Sequence, residues 1–164
     1  MRIIASRLLV ALGPLLLLAC ADGLEPVPFQ GVSGTVRFLG NRPDSTEWVR
    51  LAVYRELPAS TAGLIGFVTF SDTLPTARGN VPFSLPLDTG TYRWLPAVWK
   101  RADEPLAIAS LRVMGWYSAA ADPFGSPLAF TVERDRETAG IEIIADFTRL
   151  LSAEEALQTL GGEP

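Results

Sequence analysis

From residue 31 to residue 147 the chain is a succession of short apolar runs, each closed by turn-forming residues, and no long helical period competes with them. Such runs at regular spacing predict the strands of a sandwich or barrel. In the run 31–39, Val36 and Phe38 share one face while Thr35 and Arg37 take the other. The run 48–57 alternates in the same way, with Val49, Leu51 and Val53 on the inward phase and Arg50, Ala52 and Tyr54 opposite. A third run covers 64–70. The fourth, 81–87, sets Phe83, Leu85 and Leu87 on one face, and Pro82 and Pro86 on the other phase place it at a sheet edge. In 91–100, Tyr92, Trp94 and Val98 face one way and Leu95, Ala97 and Trp99 the other, so both faces of this strand are expected to be partly covered. The run 106–117 is long, with Gly115 marking a bulge, and 128–133 and 141–147 complete the series.

The expectation is an all-β domain over residues 31–150, an antiparallel two-sheet sandwich of about seven to eight strands. The period changes after Phe147. Residues 151–164 read as a short C-terminal helix and tail, opened by the capping box Ser152 and Glu155 and closed at Gly161-Gly162. Leu157 and Leu160 give the helix an apolar edge, which suits packing on the sandwich and docking of a partner equally well.

The segment ahead of the domain has a different chemistry. Arg2 and Arg7 precede an uncharged stretch, 8–19, of mostly Leu, Val and Ala. The stretch is too short to span a bilayer, which takes about 20 apolar residues. Pro14 in its middle and the absence of a polar face also fit a buried core helix poorly. Residues 1–19 therefore read as a secretory leader. Its exit, Leu17-Leu18-Ala19-Cys20, resembles the bacterial lipobox. That resemblance implies a diacylglycerol thioether on Cys20, cleavage just before it and acylation of the new amine. Three acyl chains would make the anchoring durable, since one chain alone binds only marginally. Lipidation also accounts for a single Cys in 164 residues, which leaves no partner for a disulfide within the chain. Residues 20–30 then serve as the lipidated residue and a Pro- and Gly-containing tether. By the same lipoprotein resemblance, Ala21 in place of an Asp directly after the Cys implies the outer membrane.

The absent residue types limit the chemistry. The chain has no His, which removes Ser-His-Asp and Cys-His catalysis and the usual zinc ligand sets. The 18 acidic residues outnumber the 14 basic ones, and loss of Arg2 and Arg7 with the leader widens the excess, so nucleic acid is not an expected partner. The acids at Asp103, Glu104, Asp122, Asp135 and Glu137 lack calcium-loop spacing and read as solvated turns. No cofactor, metal or catalytic residue is assigned. Four tryptophans, Trp48, Trp94, Trp99 and Trp116, suit core packing better than sugar stacking. The exception is Trp99, out of phase with Trp94 and followed by Lys100 and Arg101; these three form the candidate binding surface.

The stretch from Phe83 to Tyr92, ending Asp88-Thr89-Gly90-Thr91-Tyr92, resembles the core hairpin of carboxypeptidase regulatory-like, transthyretin-like domains. The opening Gly31-Val32-Ser33-Gly34-Thr35-Val36 is similar to their first strand. The resemblance implies a non-catalytic module on a secreted or envelope protein. The resulting expectation is a lipid-anchored cell-envelope module that binds an envelope protein or glycan or serves structurally. The alternative is a glycan hydrolase working through a carboxylate pair.

Overall fold

The computed structural model describes residues 29–77, 79–119 and 122–161. The leader, Cys20 and residues 21–28 of the tether lie outside the described residues. Nine strands follow in order: β1 (Gly31–Leu39), β2 (Thr46–Val53), β3 (Thr69–Phe70), β4 (Asn80–Pro86), β5 (Gly90–Tyr92), β6 (Pro96–Arg101), β7 (Leu111–Trp116), β8 (Phe130–Val132) and β9 (Glu137–Asp146). One α-helix, α1 (Ala153–Gly161), closes the described chain. The fold is an all-β sandwich with a short C-terminal helix.

Three sheets build it. One sheet has the order β4-β1-β9, a second β3-β2-β6-β7, and β5 pairs with β8 alone. All pairings between named strands are antiparallel except β1 with β9, which run parallel. One pairing departs from the expected antiparallel sandwich: β1 and β9 lie side by side in the same direction, with the rest of the described domain as the crossover between them. Parallel neighbours need such a long connection, and the first and last strands of the domain have it. Their close approach depends on Gly34, where an added Cβ would sit 1.8 Å from the Ile141 carbonyl oxygen.

The main core lies between the sheets. Val32, Val36 and Phe38 of β1 meet Val49, Leu51 and Val53 of β2, with Phe83, Leu85, Ile141 and Ile143 completing the packing. These are the period-two faces that the sequence predicts for β1, β2 and β4. β4 is an edge strand, as Pro82 and Pro86 require. The bulge in β7 also falls where Gly115 marks it: Ala97 pairs with Gly115 and Val98 with Val113, leaving Met114 extra. Gly115 takes φ +149, and a Cβ there would come within 2.0 Å of the Ile144 carbonyl oxygen. The end of β7 therefore runs against β9, and a bridge from Tyr117 to Ile143 continues the contact.

Several elements differ from the sequence reading. The run 64–70 is not one strand: Thr61–Gly66 form a 3₁₀ turn capped by Ser60, and only Thr69–Phe70 pair with β2. Residues 106–110 lie outside β7, with a second 3₁₀ turn at Ile108–Ser110. The segment 83–92 is not a hairpin either. β4 pairs with β1 and β5 with β8, so the chain changes sheets between them. The Tyr92 hydroxyl donates to the Asp88 carbonyl at 2.8 Å and fixes this corner, as a tyrosine corner does in sandwich folds.

Candidate functional site: an apolar groove on the second sheet

Both faces of the β3-β2-β6-β7 sheet carry apolar side chains. Leu51, Ala52, Val53 and Tyr54 are consecutive and all buried, as are residues 96–100. Continuous burial of this kind means a strand covered on two sides. One phase faces the main core. The other phase supplies a second apolar cluster of Ala52, Tyr54, Trp94, Val98, Val113 and Trp116. Ala156 of α1 is fully buried in that cluster, and Leu160 packs against it, so the helix lies on the sandwich. The capping box forms as the sequence predicts, with Ser152 N–H donating to the Glu155 carboxylate at 2.7 Å and Glu155 N–H to Ser152 Oγ at 3.3 Å.

The helix covers this outer face only in part. A groove of about 340 Å³ remains over it. Its floor is set by strand period: Trp48 and Arg50 from β2, Pro96 and Val98 from β6, Leu111 and Val113 from β7. Leu64, Ile65, Phe67 and Phe70 from the segment around β3 supply part of the rim, and Leu106, Ala107 and Ile108 supply more. Ile65 and Leu106 are 67% and 74% exposed, unusual values for large apolar side chains that already border a groove. The Tyr54 hydroxyl donates to the Leu64 carbonyl at 2.8 Å and fastens the first 3₁₀ turn to the sheet. Burial pushes that phenol up to about 12. Behind it the Tyr54 and Trp94 rings lie 4.9 Å apart and the Trp94 and Trp116 rings 6.0 Å apart, so the wall is packed ring against ring. The Trp94 indole nitrogen has no hydrogen-bond partner among the described residues.

Arg50 is the only charged residue among the described lining residues. Its guanidinium carbon stands 5.1 Å from the Trp48 ring centroid, and its Nε donates to Thr73 Oγ1 at 3.3 Å.

The residues singled out in the sequence lie elsewhere. Trp99 is 7% exposed; it belongs to the main core, and its indole N–H donates to Thr46 Oγ1 at 2.9 Å. Lys100 is 4% exposed, paired with Glu47 and donating to the Arg101 and Glu104 carbonyls. Of the three, only Arg101 is exposed, so this trio presents no open indole for stacking. The reason is phase: Trp99 follows Leu95 and Ala97 onto the face between the sheets. Trp48 and Trp94, on the opposite phase, border the groove instead. The signal for it was the double-sided apolar pattern of residues 91–100 together with the apolar content of 64–70.

Two further clefts are more polar. One, of about 510 Å³, is lined by Thr35, Arg37, Asn80 and Glu142 among others, and the second, of about 410 Å³, by Gln30, Pro86 and Asp88 among others. Each has one carboxylate among its described lining residues, and the apolar groove has none. No three or more acidic, His or Cys side chains among the described residues are grouped to hold a metal ion. No helix among them is long and apolar enough to cross a membrane.

No family model matches the chain. No curated protein matches it. A solved structure with partial similarity is a leucine-rich repeat protein from Bacteroides thetaiotaomicron, 12% identical, over 75% of this chain and 14% of that one, with a TM-score of 0.34. A likeness of that extent assigns neither a fold family nor a role to this chain.

Proposed function

We propose that the protein is a lipid-anchored module of the bacterial cell envelope, held by Cys20 in the outer membrane, and that it binds an apolar partner through the groove on its β3-β2-β6-β7 sheet without catalysing a reaction. The observation that carries the binding role is the groove itself: a fastened aromatic wall, an apolar floor and a rim of exposed Ile65 and Leu106. Apolar rims of this kind mark interaction sites, because exposing them to water is unfavourable. The non-catalytic reading is supported by the lack of His and by a lining with no carboxylate among the described residues. Glycosidase chemistry needs two carboxylates flanking one bond. Kinship with the transthyretin-like modules is part of the same proposal. It rests on the sequence of residues 31–36 and 83–92, while β4 and β5 themselves join different sheets.

Two experiments test the reading. Radiolabelled palmitate should enter the full chain and be lost from Cys20→Ser; label that persists in that variant refutes the anchor. A photo-crosslinking amino acid at Ile65 should capture a partner molecule in intact cells, while the same residue at Glu142, on the other sheet, should not. Equal capture from both positions refutes the groove as the binding surface.

A further inference from the structure

We infer that the occupant of the groove is a single-chain amphiphile with an anionic head, a long-chain carboxylate whose tail lies over Trp48, Val98 and Val113 and whose head meets Arg50. This deepens the reading just given and rests on it. The chemistry of the lining separates the occupants that an apolar groove could take. A peptide would bring backbone N–H and C=O groups, each of which needs a partner once buried. The lining offers few side chains to meet them, and the Tyr54 hydroxyl already donates to Leu64. A hydrocarbon tail makes no such demand.

Arg50 selects the head. Filling the groove with a wholly neutral apolar body would strip water from this cation and give nothing in return. No carboxylate pairs with Arg50 among the described residues, whereas five other ion pairs form elsewhere. Its Nε is held by Thr73, and its carbon is placed over Trp48. The terminal nitrogens of the guanidinium have no partner among the described residues and retain the forked geometry that receives a carboxylate through two parallel bonds. The volume, about 340 Å³, lies at the small end of ligand pockets and suits one chain in preference to a two-tailed lipid. The anchor proposed at Cys20 supplies the setting. The roughly ten residues between it and β1 reach at most about 35 Å, which keeps the groove near a bilayer, into which single-chain amphiphiles partition.

The test uses isolated membranes bearing the full chain. They are exposed to hexadecanoic acid carrying a diazirine and an alkyne, and in parallel to the matching alcohol, and adducts are mapped by peptide. The expected result is labelling of peptides 64–70 and 106–113 by the acid, about tenfold above the alcohol, with Arg50→Gln lowering the acid to the alcohol's level. Arg50→Lys, which keeps the charge and loses the fork, should fall between. Equal labelling by acid and alcohol on the unaltered chain overturns the carboxylate head. Absence of groove adducts from both probes overturns the amphiphile altogether. If the crosslinker at Ile65 still captures a partner in that case, the groove remains the binding surface and only its occupant was misassigned. If capture fails as well, the functional reading falls with it.

Discussion

Gly34 has no room for a side chain. A methyl there would enter the Ile141 carbonyl, a backbone atom that cannot swing aside. Gly34→Ala should therefore open the β1–β9 pairing and destabilise the chain by about 3 kcal/mol or more, read from the urea midpoint. Tyr92→Phe removes the hydroxyl's bond to the Asp88 carbonyl and the longer one it accepts from Arg55 at 3.4 Å, and should cost about 1 kcal/mol with no change of fold. Tyr54 gives a pH dependence with a definite sign. Its folded phenol is raised above the ordinary 10.0 to about 12, so the native state keeps this proton longer than the unfolded chain. Stability from that source is complete below pH ~10 and falls between pH ~10 and ~12. Urea midpoints at pH ~8 and ~11 should differ less in Tyr54→Phe than in the unaltered chain. Burial also raises the Tyr92 phenol, which retains part of the slope in that variant. Among single residues, the Gly115 bulge and the apolar phases of β1, β2 and β4 were legible in the sequence. Trp99 and Lys100 were not: alternation tells which side chains share a face, but not which face of a sheet covered on both sides will remain open.

At the scale of elements, strands with clean alternation were readable and connecting segments were not. Residues 64–70 have strand-like apolar content, yet the Ser60 cap and the Tyr54 hydroxyl turn their first half into a 3₁₀ turn. Leu106, Ala107 and Ile108 are apolar and border the groove without pairing in a strand. The Gly90 turn was read as a hairpin because strand, turn and strand are local signals, whereas the partner of β5 lies in β8, some forty residues on. α1 was legible from its capping box, and its packed face is Ala156 with Leu160. Bonds from Ser152, its backbone N–H first and its hydroxyl second, hold the exposed Glu155 carboxyl below the usual carboxylate range. That contribution to the helix is present above the ordinary glutamate pKa and is lost as pH falls through the lowered one. Ala156→Asp would bury an unpaired charge and should release α1 from the sheet. The expected readout is fast amide exchange across residues 153–161 with β1, β4 and β9 still protected. Loss of protection throughout the sandwich would show that the helix is needed for the fold itself.

For the whole molecule, the arrangement follows from two buried layers sharing one sheet. The β3-β2-β6-β7 sheet closes the main core with one face and gives the other to α1, two 3₁₀ turns and the groove. The all-β class was plain in the sequence, since period-two runs fill the domain. The parallel β1–β9 contact was not, because no local pattern reports which distant strands meet. The partly covered outer face was legible only as a strand apolar on both phases. The most direct measurement is an electron-density map of the full chain purified from the cells that make it. Non-protein density should fill the groove, running over Val98 and Val113 and ending beside Arg50. A groove closed by Ile65 and Leu106 collapsing onto that floor, with no space for an occupant, would contradict it.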